Sequence, residues 1–133
     1  FTRIRMNSSI KFELEFVIHA SPQMLYQYIS TSSGLSEWFA DDVHSRGPKY
    51  SFFWNGSEEV AKLIKHKNEF FVRFKWEASE GDDSYFEMKI LEDEITSDVS
   101  LVITDFSEPD EIEESKMLWE NQISSLKQIL GSV

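Results

Sequence analysis

Asp41, Asp42 and His44 form the one cluster in this chain that resembles acid–base equipment. A carboxylate and an imidazole can pass a proton, and residues i and i+2 of an extended segment point the same way, so Asp42 and His44 would face together. The plainer reading is a solvated acidic loop, and it is preferred because adjacent carboxylates are common on loops and residue types alone reveal no perturbed pKa. His19, His44 and His66 are scattered, with no i, i+4 pair and no second ligand beside any of them, so no metal site is expected. The chain has no cysteine, which removes thiol nucleophiles, thiolate metal sites and disulfides together and suits a reducing, cytoplasmic setting. No Gly-x-Ser-x-Gly elbow occurs, and the five glycines read as isolated turn and helix-end residues, not a phosphate cradle. These observations assign no catalytic residue and predict no cofactor.

What stands out instead is apolar. Eleven Phe and four Trp in 133 residues need somewhere to go, and core is the usual destination. The length suits one domain, read as residues 10–133 behind an N-terminal tail of residues 1–9. Met6 is a candidate start, which leaves residues 1–5 uninformative, and the arginines there precede no apolar stretch of the kind a signal peptide requires. No run of about eighteen apolar residues is present, so no membrane-embedded segment is expected. A net charge of −11 opposes nucleic acid and anionic membrane surfaces as partners.

The elements that would position any site follow from periodicity. From Ile10 to His19, Ile10, Phe12, Leu14, Phe16 and Ile18 alternate with mainly polar residues, a strand with one buried face. Ser21-Pro22 reads as an N-cap followed by proline at the first helical position, opening a short helix that buries Met24, Leu25, Tyr28 and Ile29. A second helical turn is expected over Leu35 to Phe39, capped by Ser32 or Ser33. Strands are predicted at Tyr50 to Trp54 and from about Glu58 to His66, joined at Asn55-Gly56, the strongest hairpin signal in the chain. Further strands place Phe70, Val72, Phe74 and Trp76 on one side, then Phe86, Met88 and Ile90, then a last strand over about Ile95 to Phe106. Short connections make this an antiparallel meander. Pro109 to Gly131 reads as one long helix whose stripe is Ile112, Trp119, Ile123, Leu126 and Leu130, widened by Met117, Leu118 and Ile129.

Strand, two short helices, meander and long C-terminal helix are an α+β helix-grip arrangement, a curved antiparallel sheet wrapped around that helix. Together with Ala20-Ser21-Pro22, Leu25-Tyr26, Trp38-Phe39-Ala40, Thr104-Asp105-Phe106 and Trp119-Glu120-Asn121, it resembles the START-like superfamily over Ile10 to Leu130. Within that superfamily it looks most similar to small bacterial relatives of the activator of the ninety-kilodalton heat-shock-protein ATPase. The resemblance implies a cavity between sheet and helix that takes lipids or other apolar molecules in many relatives. The residues expected to wall it are Trp38 and Phe39 at the mouth and Phe52, Trp54, Phe74, Trp76, Phe86 and Met88 on the sheet, with Trp119 and Ile123 from the helix. A filled core is the competing expectation for the same residues. Three functions stay open: non-catalytic binding of a small apolar molecule or lipid; a protein-interaction module or homodimer related to the chaperone-ATPase activators; and, weakest, a cyclase or hydrolase using Asp42 or His44.

Overall fold

The computed structural model describes residues 9–131. Among them, seven strands form one antiparallel sheet: β1 (Ile10–Val17), β2 (Asp42–Arg46), β3 (Lys49–Trp54), β4 (Ser57–Lys67), β5 (Phe71–Trp76), β6 (Phe86–Glu92) and β7 (Val99–Ser107). Their order across the sheet is β1-β7-β6-β5-β4-β3-β2, so every neighbour except β1 and β7 is also a neighbour in sequence. Helices α1 (Pro22–Ser30) and α2 (Ser32–Leu35) lie between β1 and β2, and α3 (Ile112–Ile129) closes the chain. This is the expected α+β helix grip, with a curved sheet.

The period-two reading decides which side of the sheet is core. Val72, Phe74 and Trp76 of β5 are buried, as are Phe86, Met88 and Ile90 of β6 and Val99, Leu101 and Ile103 of β7. The Asn55-Gly56 turn has φ of 51° and 82° at its two residues and closes the pair Trp54 and Ser57, the left-handed conformation that type I′ requires. One feature of the sheet escaped the sequence pattern. The register between β4 and β5 slips between Leu63 and Lys65, leaving Ile64 as the extra residue of a bulge, a device that bends a strand and increases its twist.

Several expected boundaries move for local reasons. Thr31, not Ser32 or Ser33, caps α2: its Oγ1 accepts the Gly34 N–H at 2.9 Å. The helix therefore ends at Leu35, and Trp38-Phe39 lie in the turn after it. Met24 points outward at 53% exposure, and Tyr26 takes its place in the core. The last strand starts at Val99, because the Asp93 carboxylate accepts the N–H groups of Ile95 and Thr96 and folds that stretch into a loop. Pro109–Glu111 form a single 3₁₀ turn before α3. Trp119, Ile123 and Leu126 are the buried stripe of α3, whereas Met117, Leu118 and Ile129 are exposed and do not widen it.

Gly34 is no turn glycine but a point of close approach. A Cβ there would run into the carbonyl oxygen of Gln27 and come within 2.7 Å of the Tyr28 Cα, so α2 packs against the backbone of α1 only while position 34 lacks a side chain. Backbone atoms cannot step aside as a flexible side chain can. Gly34→Ala is expected to lower stability by about 1–3 kcal/mol, the usual cost of overpacking. Urea unfolding of the two proteins checks this, and an unchanged midpoint would contradict it.

Candidate functional site

The concave side of the sheet, the turn after α2 and the inner face of α3 meet in one aromatic cluster with the Phe39 ring at its centre. That ring lies 5.2 Å from Phe52, 5.5 Å from Trp54, 5.7 Å from Phe86 and 5.6 Å from Trp119, centroid to centroid. Phe86 extends the cluster by stacking on Phe74 at 5.1 Å and on Trp76 at 5.0 Å. Trp54 and Trp76 approach to 6.1 Å. Offset and edge-on arrangements at these distances are the ones aromatic quadrupoles prefer.

Backbone and side-chain polar groups hold the rings in place. The Phe39 carbonyl accepts the indole N–H of Trp54 at 3.0 Å and the side-chain amide of Gln122 at 2.7 Å, so one oxygen joins the turn to both β3 and α3. Trp38 donates its indole N–H to the Tyr28 carbonyl at 2.8 Å, which pins the turn to α1. Tyr50 donates its hydroxyl to the Ser30 carbonyl at 2.7 Å. Burial, and then the charge of the neighbouring Tyr26, push the Tyr50 hydroxyl above its ordinary pKa.

A buried carboxyl also enters this interior. Asp105, 1% exposed, continues the inward series of Leu101 and Ile103 on β7. Its Oδ2 accepts the Trp119 indole N–H at 2.9 Å and its Oδ1 the N–H of Phe106 at 2.8 Å. Sequence reading missed its role, although its parity with Val99, Leu101 and Ile103 carried the signal. Glu59 lies opposite Phe52 in the β3–β4 register and so turns to the same side.

Of the ten residues expected to wall a cavity, all but Trp54 are buried to 6% exposure or less, and Trp54 is half-buried. The eight aromatic ones join in the ring contacts, and Met88 and Ile123 pack in the same core. Several openings border members of this cluster, one of them, about 370 Å³, lying against Trp76 and lined by Lys49, Lys62 and Lys75. A cleft of about 400 Å³ is bounded by Trp38, Phe39, Trp54, Gln122 and Ser125. A recess of about 500 Å³ is bounded by Ser57, Glu58, Glu59, Val60, Trp76 and Glu77. Among the described residues, two buried polar atoms bordering these openings have no hydrogen-bond partner, the Oε1 of Gln122 and the Nε1 of Trp76.

The acid–base candidates sit elsewhere. Asp42 and His44 do face together, with His44 Nε2 3.0 Å from Asp42 Oδ2, but both are largely exposed. They pair with Phe53 and Ser51 on the side of the sheet opposite Val43 and Phe52. Asp41 is spent on structure: its Oδ2 accepts the Asn55 N–H at 2.8 Å and holds the β3–β4 hairpin. No group of three potential metal ligands gathers among the described residues.

On the outer face, Arg73 pairs with Glu87 at 2.9 Å, as their opposed positions suggest, and stacks 4.2 Å from the Tyr85 ring. Lys75 does not join them but binds Asp82 at 2.9 Å. Burial alone would raise the Asp82 carboxyl, yet hydrogen bonds from Ser84 and Lys75 prevail and hold it down at about 2. This network anchors the loop between β5 and β6.

The START-like superfamily domain model matches residues 6–132. The chain belongs to the START-like superfamily. A Bacteroides fragilis protein whose solution structure was solved by NMR is 35% identical over 93% of each chain, with a TM-score of 0.68. The Aha1 dimer of Colwellia psychrerythraea matches at 20% identity, over 89% of this chain and 93% of that one, with a TM-score of 0.73. A Mesorhizobium loti protein matches at 15% identity over 92% and 97%, with a TM-score of 0.74. Identities this low speak to fold only. Among curated proteins none matches. No helix of the described START-like domain is long and apolar enough to cross a membrane.

The Asp105–Trp119 bond has a measurable consequence for the domain. Trp119→Phe keeps a large ring on α3 but removes the indole donor from a buried carboxyl. A loss of about 1–3 kcal/mol is expected, the penalty for withdrawing one buried hydrogen-bond partner. Chemical denaturation reads this directly, and stability equal to that of the parent protein would show that the bond is not structural.

Proposed function

We propose that this START-like domain binds a small apolar molecule between its sheet and α3, and that it performs no chemistry on it. The observation that carries the reading is the Phe39 cluster, in which rings from sheet, turn and helix converge beside two openings, each bordered by an orphaned buried polar atom. An apolar enclosure with few polar groups is the ordinary form of a small-molecule site. A buried polar atom without a partner costs about 1–3 kcal/mol, which a ligand supplying the missing bond would recover. The Asp42–His44 pair gives no support to the cyclase or hydrolase reading, since it lies on the outer face.

The size of the ligand follows from area. Burying one aromatic ring's worth of surface, roughly 200 Å², gains about 5 kcal/mol before the cost of association. That corresponds to sub-millimolar affinity at best, so a useful probe carries more than one ring. The neutral fluorophore N-phenyl-1-naphthylamine is suitable. Its emission is expected to rise and saturate at one molecule per domain, and Trp54→Ala, at a half-buried position, should weaken binding by about tenfold. Emission that never saturates, or that ignores the Trp54 change, would sink the proposal.

Self-association is a second reading, favoured by the exposed Met117 and Leu118 side by side on α3. It draws further support from the dimeric state of the Colwellia relative. In sedimentation equilibrium, a dimer that Leu118→Glu dissociates is the expected result. A monomer at all concentrations would dismiss it.

A further inference from the structure

We propose a second binding site, on the outer face of the sheet, for a small polyanion whose carboxylate or phosphate groups stand about 5 Å apart. It is separate from the apolar interior and does not rest on the reading given for it. A row of cations carries the inference.

Arg46, Lys49, Lys62 and Lys75 stand directly opposite one another across β2, β3, β4 and β5. Opposed residues of paired strands share a face, and this row lies on the side away from the buried Tyr50, Ala61 and Trp76. Acids outnumber bases 24 to 13 in this chain, yet no acid interrupts the row. Like charges directly opposite one another repel, so the row works against the sheet that holds it.

One end of the row is neutralised. Lys75 Nζ bonds the Asp82 carboxylate at 2.9 Å and the backbone carbonyls of Asp82 and Ser84, which uses all three of its donors. Among the described residues, the side chains of Arg46, Lys49 and Lys62 make neither an ion pair nor a hydrogen bond, and all three residues are exposed. The opening of about 370 Å³ follows this row, with Lys49, Lys62 and Lys75 along it and Val60 and Ile64 adding uncharged surface. Its volume suits a small molecule. Glu77 and Glu80 border it from the loop after β5 and ion-pair with none of these lysines.

Screening decides between the local field and the acidic whole. The Debye length is about 8 Å at physiological ionic strength, so an anion in this opening feels the adjacent cations strongly and the distant acids weakly. A nucleic-acid duplex or a membrane meets the whole acidic surface and gains no such exemption. A lone exposed ion pair contributes little, so a monovalent anion is held poorly. Several anionic groups on one molecule add their contacts for a single loss of translational freedom. Neighbouring strands lie about 4.8 Å apart, which sets the spacing of the groups.

Amide NMR titrations with propane-1,2,3-tricarboxylate, tripolyphosphate and acetate, in about 0.05 M salt, test the site. At least one multivalent probe is expected to give saturating shifts around Lys49 and Lys62, with a midpoint at least about tenfold below that of acetate. The tighter probe names the anionic group. Combining Lys49→Gln with Lys62→Gln should raise that midpoint at least about fivefold, and Glu80→Gln, which removes a competing carboxylate, should lower it. Lys89→Gln, on the same face but outside the opening, should leave it unchanged. The ligand-free spectrum reports the fold of each variant, and Glu80→Gln decides the matter if the double lysine variant misfolds. Shifts that never saturate, that spread evenly over the surface lysines, or that persist undiminished in the double variant overturn the proposal.

Discussion

The hydrogen bond from the Trp119 indole to the Asp105 carboxyl is the directional contact on which the position of α3 depends. Among the described residues, side-chain hydrogen bonds from Ser115, Trp119 and Gln122 join that helix to the rest of the fold, and the Trp119 bond is fully buried. Apolar packing alone leaves a helix free to roll, because the hydrophobic effect follows area and not direction. Successive residues of a helix are about 100° apart, so a rotation of one position would swing Trp119 off β7 and bring Leu118 or Glu120 over the carboxyl. With Trp119 fixed, Ile123 and Leu126 follow onto the sheet by helical spacing alone. Gln122, between those two, then reaches the Phe39 carbonyl.

That carbonyl explains why the turn after α2 belongs to the interior. Phe39 N–H bonds back to Leu35 at 2.9 Å, which closes the turn and fixes the direction of the ring. Its carbonyl then takes one donor from β3 and one from α3. The backbone of a single residue thus ties together three parts of the fold, while its side chain sits at the centre of their rings. Gly34 makes the geometry reachable, because α2 must come against the α1 backbone before Phe39 can point inward.

Much of this was legible in the residues. Alternation of large apolar side chains on β5, β6 and β7 names the core face with no further information, since a slip of one residue would turn all of them to solvent. Asn55-Gly56 and Ser21-Pro22 carry their conformations in their own chemistry, and both behave as such. The failures occurred where two local preferences compete. Ile95 suits a strand by propensity, yet Asp93 two residues earlier captures its N–H and makes a loop. Thr31 and Ser32 are both competent caps, and only the packing of α2 on α1 selects the first. Met117, Leu118 and Ile129 are apolar by type, but one helix face can meet the sheet, and Trp119 had already claimed it. The bulge at Ile64 breaks no composition rule and left no mark in the pattern.

The candidate site was legible in its apolar members and illegible in its polar ones, for the same physical reason. Burial of a phenylalanine follows from its type and its parity on a strand, whereas burial of an aspartate requires a partner, and that partner, Trp119, lies fourteen residues away on another element. Parity alone placed Asp105 on the inner side, but an inward carboxyl without a donor would be so costly that a strand end is the more economical reading. The indole supplies the donor and changes the balance. The same logic extends to the sheet as a whole: in an alternating strand each charged residue is committed to one face, and the described strands commit their lysines and arginines to the outer one. Which strand charges can reach the interior is therefore a consequence of register, set by the same alternation that builds the core.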